Sequence, residues 1–288
     1  MARTESIRES YDRNASRYNE YAVLEQEVCR RLLDRVGFCR ETPVVVLDLG
    51  CGTGVGAAEL KKTFRKAQVI GVDLSMGMLS EAGRQSRLRR PFKRVNADMG
   101  SLPFSHHSVD LVFSNLAIPW LNDPKPFFEE VRRVLKPDGM FLFSMFGPGS
   151  LNQLSEASVR CTGDVAANTF PDLLEVGDAL TAAGFREPVM DIDLVTLHYP
   201  DLDALAVELE ITGSALLLEN WSRMKEDLEI LAANWNTMDD GKRFPLGFEI
   251  TYGTAYGSPE GQPRRTVDGE IATFSVDSLL KSQKLGYD

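Results

Sequence analysis

Val44-Val45-Val46-Leu47-Asp48-Leu49-Gly50-Cys51-Gly52-Thr53-Gly54 decides how the chain is read. An unbroken apolar, β-branched run that halts at an acid and then places glycine at alternate positions describes a buried parallel strand entering a tight turn. The following helix is expected to begin near Val55. Glycine suits such a turn because backbone N–H groups can approach a ligand only where φ is positive or a Cβ has no room. An ordinary strand-to-helix loop gives the same local pattern, so the surroundings decide its meaning.

The surroundings repeat the theme. Gln68-Val69-Ile70-Gly71-Val72-Asp73 reads as a second buried strand, also ending in an acid. Asp73 follows the glycines at roughly 20 residues, the interval at which a Rossmann-type βαβ unit presents a carboxylate to ribose hydroxyls. Ser75 caps a helix through about Arg87, and Phe92 to Ala97 forms a third strand closed by Asp98. The strand Val109 to Asn115 leads into Leu116-Ala117-Ile118-Pro119-Trp120, a loop at the same sheet edge. A helix opens at Pro124 and Pro126, buries Phe127, Val131, Val134 and Leu135, and stops at Pro137-Asp138-Gly139 before a fifth strand, Met140 to Met145. This alternation is that of an α/β fold with a largely parallel sheet.

Beyond Gly147-Pro148-Gly149 the alternation loosens. Ser150 to Arg160 and Asp201 to Trp235 read as helical insertions forming a lid, while Asp172 to Ala183 and Pro188 to Leu197 restore one helix and a sixth strand. Phe248, Ile250 and Tyr252 alternate with polar or small residues, and a turn at Ser258-Pro259-Glu260-Gly261 precedes Gly269 to Val276, giving a closing antiparallel hairpin. Toward the N-terminus, Val28, Leu32, Leu33 and Val36 place a helix within residues 5–38, packed on the sheet edge. Ahead of them Tyr11, Tyr18 and Tyr21 lie in a segment with few aliphatic anchors, either a frayed arm or a flap over the site.

Composition narrows the chemistry. A net charge of −10 argues against nonspecific nucleic-acid binding, which depends on neutralising phosphates. No apolar stretch approaches membrane-spanning length and the first residues lack a secretory h-region, so a cytoplasmic protein without membrane insertion is expected. Cys29, Cys39, Cys51 and Cys161 show no metal-ligand spacing or disulfide framework. With only three histidines, a zinc site or a Ser-His-Asp triad is hard to build, and metal-free chemistry is expected.

Together, Asp48-Leu49-Gly50-Cys51-Gly52-Thr53-Gly54, Asp73, Asn96-Ala97-Asp98 and Leu135-Lys136-Pro137-Asp138-Gly139 resemble the motif series of class I S-adenosylmethionine-dependent methyltransferases. The resemblance implies a Rossmann-like, mostly parallel seven-stranded sheet with helices on both faces and a helical cap. It implies that the glycine turn (Gly50, Gly52, Gly54) receives the methionine part of S-adenosyl-L-methionine, Asp73 the ribose and Asp98 the adenine amino group. Asp48, Cys51, Leu74, Met99 and Asn115 complete the implied cofactor set. Carboxylates suit hydroxyl and amino donors, and this cofactor has no phosphate for a basic group to grip. Asp98 also reads as a turn carboxylate capping Gly100 or Ser101. The glycine spacing departs from the dinucleotide fingerprint, which disfavours a dehydrogenase. One domain is drawn: an arm and helix (1–40), a cofactor-binding core (41–147), cap insertions (148–171 and 200–240) and the closing hairpin (244–276).

Tyr11-Asp12-Arg13-Asn14-Ala15-Ser16-Arg17-Tyr18, Ser114 to Trp120 and Phe244 to Gly253 further resemble the malonyl-acyl-carrier-protein O-methyltransferases of biotin synthesis. That family methylates the free carboxylate of a malonyl thioester on an acyl carrier protein. Two alternatives share the core: complex I assembly factors resembling protein arginine hydroxylases, and C-methyltransferases of quinone-type molecules. A C-methyltransferase normally needs a base, whereas a malonyl carboxylate is already ionised, so the paucity of histidine favours O-methylation. Tyr18 is expected to close over the cofactor, Arg17 to hold the substrate carboxylate, and Trp120 to form either pocket wall or core. Arg84, Arg87, Arg89, Arg90, Lys93 and Arg94 offer a basic face for an acidic carrier protein, or a solvated helix end.

Overall fold

The computed structural model describes residues 2–86, 91–121, 123–162, 170–218, 221–226, 228–235, 243–258, 264–266 and 269–271. The N-terminal region is three helices rather than one: α1 (Ala2–Asn14), α2 (Tyr18–Tyr21) and α3 (Val23–Leu33), followed by a 3-10 turn at Asp34–Phe38. Helix α3 buries Leu24, Val28, Cys29 and Leu32. These pack with Val46, Leu111 and Leu142, so the helix lies on the face of the sheet and not at its edge.

The core alternates as its apolar runs require. Strand β1 (Val45–Leu49) leads to α4 (Val55–Thr63), β2 (Gln68–Asp73) to α5 (Met76–Gln85), and β3 (Lys93–Asn96) to β4 (Val109–Asn115). Helix α6 (Lys125–Val134) then feeds β5 (Leu135–Phe146). Phe127, Phe128, Val131 and Val134 of α6 are buried against Phe141 and Phe143 of β5. Burying each such side chain contributes roughly 1.5–3 kcal/mol. Strand β5 starts earlier than its apolar run because the register against β4 jumps between Val109 and Leu111, and the Pro137-Asp138-Gly139 turn, with Asp138 at φ 59°, is carried inside it as a bulge.

After β5 come α7 (Asn152–Thr162), α8 (Leu173–Ala182), β6 (Phe185–Tyr199), α9 (Leu202–Ile211), α10 (Trp221–Lys225), α11 (Leu228–Ala233) and β7 (Phe244–Gly257). The sheet has seven strands in the order β3-β2-β1-β4-β5-β7-β6. The first five are parallel, while β7 runs antiparallel between β5 and β6. This corrects the expected hairpin of 244–276. The long partner of β7 is β6, whereas β8 (Arg264–Thr266) and β9 (Gly269–Ile271) form their own two-stranded ribbon. Residues 272–276 lie outside the described residues.

Helices cover both faces. Leu47, Leu49, Val112 and Phe141 meet α6 and α8 on one side. On the other, Val46, Leu111 and Ile250 share a cluster with α3, α4 and the cap residues Leu205, Leu209, Trp221 and Leu231. The cap is therefore packed into the core, which fixes its position over the strand ends.

Candidate functional site

The ends of β1, β2 and β4, the Ala97-Asp98-Met99 segment and the N-terminal arm enclose one cavity. It opens where strand order reverses between β2-β1 and β4, the switch point at which open α/β sheets bind ligands. Asp48, Gly50, Cys51, Gly52, Asp73, Leu74, Asp98, Met99 and Asn115 line it, as do Tyr18 and Trp120. Gly54 does not. It sits at φ 81° ahead of α4, where a Cβ would lie 2.8 Å from both Ala82 Cβ and the Phe92 ring. Gly54 is thus a helix-packing glycine, whereas a Cβ on Gly52 would meet nothing within 4 Å, so the turn is open to a ligand there.

Asp73 organises that turn. Its Oδ2 accepts the N–H of Gly52 at 2.8 Å and its Oδ1 accepts that of Ser75 at 2.8 Å. Burial pushes Asp73 up to about 6 despite these bonds, which favour the charged form. Asp48 is buried and pushed up to about 7, chiefly by desolvation, and its Oδ2 has no hydrogen-bond partner among the described residues. Asp98 accepts the Gly100 N–H at 2.8 Å, and its carbonyl accepts that of Ser101 at 3.1 Å. The turn-capping reading of Asp98 is thus what the geometry displays, with the residue also facing the cavity.

The arm is held, not frayed. Asp12 Oδ1 accepts the Ser75 hydroxyl at 2.6 Å and the Gly77 N–H at 2.8 Å at the start of α5. Thr53 Oγ1 donates to Asn19 Oδ1 at 2.6 Å, and Asn14 Nδ2 donates to the Glu210 carbonyl of α9 at 3.0 Å. Tyr11 lies 6.0 Å from the ring of Tyr18 and meets Trp120 edge-on at 5.4 Å. All three line the cavity, so the pocket-wall reading of Trp120 agrees with its placement, and it also packs on the core.

Arg17 and Tyr21 depart from expectation. Arg17 is exposed, its guanidinium lies 5.2 Å over the Tyr21 ring, and Nη2 donates to the Tyr21 hydroxyl at 2.9 Å. Four residues apart, the two share a helical face, and neither is among the cavity-lining residues. The basic stretch is also partly spent: Arg84 pairs with Glu81, and Arg94 Nη1 donates to the Leu79 carbonyl at 2.7 Å. Arg87, Arg89 and Arg90 lie outside the described residues.

Sequence reasoning missed Glu25, Arg8 and Asn19, which all line the cavity. Glu25 is pushed up to about 8 by burial, with Glu208 adding to the effect, and its Oε2 is buried without a partner among the described residues. A signal existed, because Glu25 stands in helical phase with the buried Val28, Cys29 and Leu32.

A cavity rich in carboxylates, with Gly52 open to it and Asp48 Oδ2 unpartnered, fits a cofactor presenting hydroxyl, amino and ammonium donors. The model of the family described as methyltransferase domain matches residues 47–143. Among solved structures, the YcgJ protein of Bacillus subtilis superposes with a TM-score of 0.58 at 18% identity, covering 80% of this chain and 98% of that one. With the relatives that follow, the fold and the family match define an S-adenosylmethionine-dependent methyltransferase. The malonyl-[acyl-carrier protein] O-methyltransferase of Laribacter hongkongensis (strain HLHK9) is 37% identical over 91% of this chain and 92% of its own. That of Halorhodospira halophila (strain DSM 244 / SL1) is 38% identical over 96% of each. The chain belongs to the malonyl-[acyl-carrier protein] O-methyltransferase family. Among the described residues, no helix is long and apolar enough to cross a membrane.

Proposed function

We propose that the protein methylates the free carboxylate of a malonyl thioester carried by an acyl carrier protein, the entry step of pimeloyl synthesis for biotin. Family membership over nearly the whole length, arm and cap included, supports the substrate class. The observation that carries the chemistry is the lining of the cavity: it includes neither histidine nor lysine among the described residues, and its one arginine, Arg8, is bound to Glu5 and Asp12. A lining without histidine or lysine is compatible with a nucleophile that arrives ionised and needs no base.

When bound, S-adenosylmethionine supplies a methyl group on a sulfonium. The residues that would hold it are the turn at Gly50–Gly52, open at Gly52, with Asp73 and Asp98, and with Asp48 at β1 and Asn115 at the end of β4. Asn115 is itself fixed, donating to the Glu25 carbonyl at 3.0 Å and accepting from the Ser144 hydroxyl at 2.9 Å. Tyr11, Tyr18 and Trp120 close the wall formed by the arm and exclude water from the reacting groups, which strengthens every electrostatic interaction inside. Such positioning can lower a barrier by several kcal/mol.

The test is mass spectrometry of malonyl-carrier protein, and of malonyl-coenzyme A, incubated with enzyme and cofactor. A one-methyl mass increase on the malonyl group is the expected result. No transfer to malonyl, succinyl or glutaryl thioesters, with cofactor binding demonstrated, overturns the reading.

A further inference from the structure

A site that methylates a carboxylate must first admit an anion, and this cavity is poor in cations. Its one lining arginine, Arg8, donates to Asp12 at 3.1 Å and to both oxygens of Glu5, so its fork is already taken. Arg17 is turned toward Tyr21. What the cavity does offer is Glu25, whose carboxyl oxygen Oε2 is buried without a partner among the described residues.

Tyr11 of α1 and Tyr18 of α2 line the same cavity, and the titratable groups that act electrostatically with Glu25 are these two, Tyr199 of β6 and Glu208 of α9. Glu208 already accepts the Tyr199 hydroxyl at 2.8 Å. None of these is a cation. A buried carboxyl without a partner for Oε2, and with a second acid acting on it, keeps its proton near neutrality, in line with its rise to about 8. In that form it is a donor, whereas an ionised carboxylate can only accept.

The geometry points to Glu25 as the substrate-recognition residue, donating its proton in a hydrogen bond to the carboxylate that is to be methylated. The inference rests on the carboxyl-methylation reading above. An approaching carboxylate reinforces the arrangement, because two carboxyl groups sharing a site hold one proton between them. The bond is charge-assisted and therefore short and strong. A neutral donor also suits the chemistry better than a fixed cation. Methyl transfer erases the negative charge on the substrate, so an arginine would stabilise the carboxylate before the transfer more than during it. The proton stays on Glu25 throughout, and the carbonyl of the methyl ester can accept the same bond.

Glu25→Gln keeps a donor at this place, and Glu25→Ala removes it. Each is compared with wild type in three measurements: S-adenosylhomocysteine affinity by calorimetry, malonyl-thioester binding to the S-adenosylhomocysteine complex, and the pH profile of kcat/KM. Both variants should bind S-adenosylhomocysteine within about threefold of wild type, which also shows that they fold. Losing a hydrogen bond to a charged partner should cost Glu25→Ala about 10- to 100-fold in malonyl-thioester binding and in kcat/KM. Glu25→Gln should recover most of that loss. Wild-type kcat/KM should fall at alkaline pH as Glu25 ionises, and this limb should vanish in Glu25→Gln. Unchanged thioester binding in Glu25→Ala overturns the assignment. So does Glu25→Gln that weakens S-adenosylhomocysteine tenfold, because Glu25 would then be serving the cofactor as an anion. Wild-type enzyme that transfers no methyl to any malonyl thioester is a different failure, that of the function itself.

Discussion

The Asp12 carboxylate of α1 accepts the hydroxyl of Ser75 at 2.6 Å, and through the same oxygen the N–H of Gly77 at 2.8 Å, closing the arm onto the first turn of α5. Ser75 is also the N-cap of that helix, donating to Asp12 while its oxygen accepts the Met78 N–H at 3.0 Å. An acid at a helix N-terminus gains from the macrodipole as well as from the bonds, and the hydrogen bonds from Ser75 and Gly77 and the charge of Arg8 outweigh desolvation to hold Asp12 below its ordinary value. Because Tyr11 adjoins Asp12 on α1, this clasp places an aromatic wall on the cavity.

Asp12→Ala should therefore free the arm without unfolding the core. Losing charge-assisted bonds worth about 1.5–3 kcal/mol should weaken S-adenosylhomocysteine binding by roughly tenfold or more. Limited proteolysis should cut between residues 10 and 25 faster in the variant than in wild type. Wild-type resistance to cleavage in that variant would show that the arm is held by other contacts.

Asp73→Ala should be more severe for ligand binding. The substitution removes the acceptor for both Gly52 N–H and Ser75 N–H, so the turn loses its internal support as well as the proposed ribose contact. A loss of about 100-fold in S-adenosylhomocysteine affinity is expected, at roughly 1.5–3 kcal/mol for each bond to a charged acceptor. Calorimetry giving wild-type affinity would remove Asp73 from the site.

What was legible in the sequence was local. A strand, an acid and a glycine turn lie within eleven residues at 44–54, and the acids at 73 and 98 close strands of their own, so chain order alone places them at one sheet edge. What was hidden depends on contacts between distant residues. The bond between Asp12 and Ser75 spans 63 positions, and nothing in the arm itself distinguishes it from a frayed end. The place of β7 between β5 and β6 is likewise a matter of non-local pairing, which turn chemistry near residue 260 could not reveal. Arg17 was misplaced for a simpler reason. Its guanidinium lies over the Tyr21 ring four residues on, on one helical face, and neither residue lines the cavity.

Gly54→Ala should separate stability from binding. At φ 81°, with Ala82 Cβ and Phe92 each 2.8 Å from the new methyl, the variant has both backbone strain and a clash between two packed elements. A cost of about 1–3 kcal/mol is expected. Thermal denaturation should report it as a lower Tm, while the folded fraction binds S-adenosylhomocysteine with near wild-type affinity. Gly52→Ala should reverse the pattern, since its Cβ enters open space where the ligand is proposed to lie: affinity falls more than stability. Equal effects from both glycines on binding would return Gly54 to the cofactor set.

The buried acids also set a pH dependence for stability. Glu25 and Asp48 have folded values of about 8 and 7, against ordinary values of 4.5 and 3.8. Between those limits the folded state holds protons that the unfolded chain has released, so stability is greatest on the acid side and declines as pH rises toward 8. Carboxylates held low by partners act in the opposite sense. Glu27, brought down to about 2 by hydrogen bonds from Arg30 and Arg31, stabilises the fold above its ordinary value and is lost only at more acid pH. The two groups of acids thus act in separate windows, and the ligand-free protein should show its highest Tm near pH 5. Glu25→Gln and Asp48→Asn should each flatten the decline from pH 5 to 8, and together should leave mainly the part below about pH 6 that Asp73 contributes. Calorimetric scans at unit steps of pH measure this directly, and a wild-type Tm that rises from pH 5 to 8 would mean that both carboxyls are ionised in the folded protein.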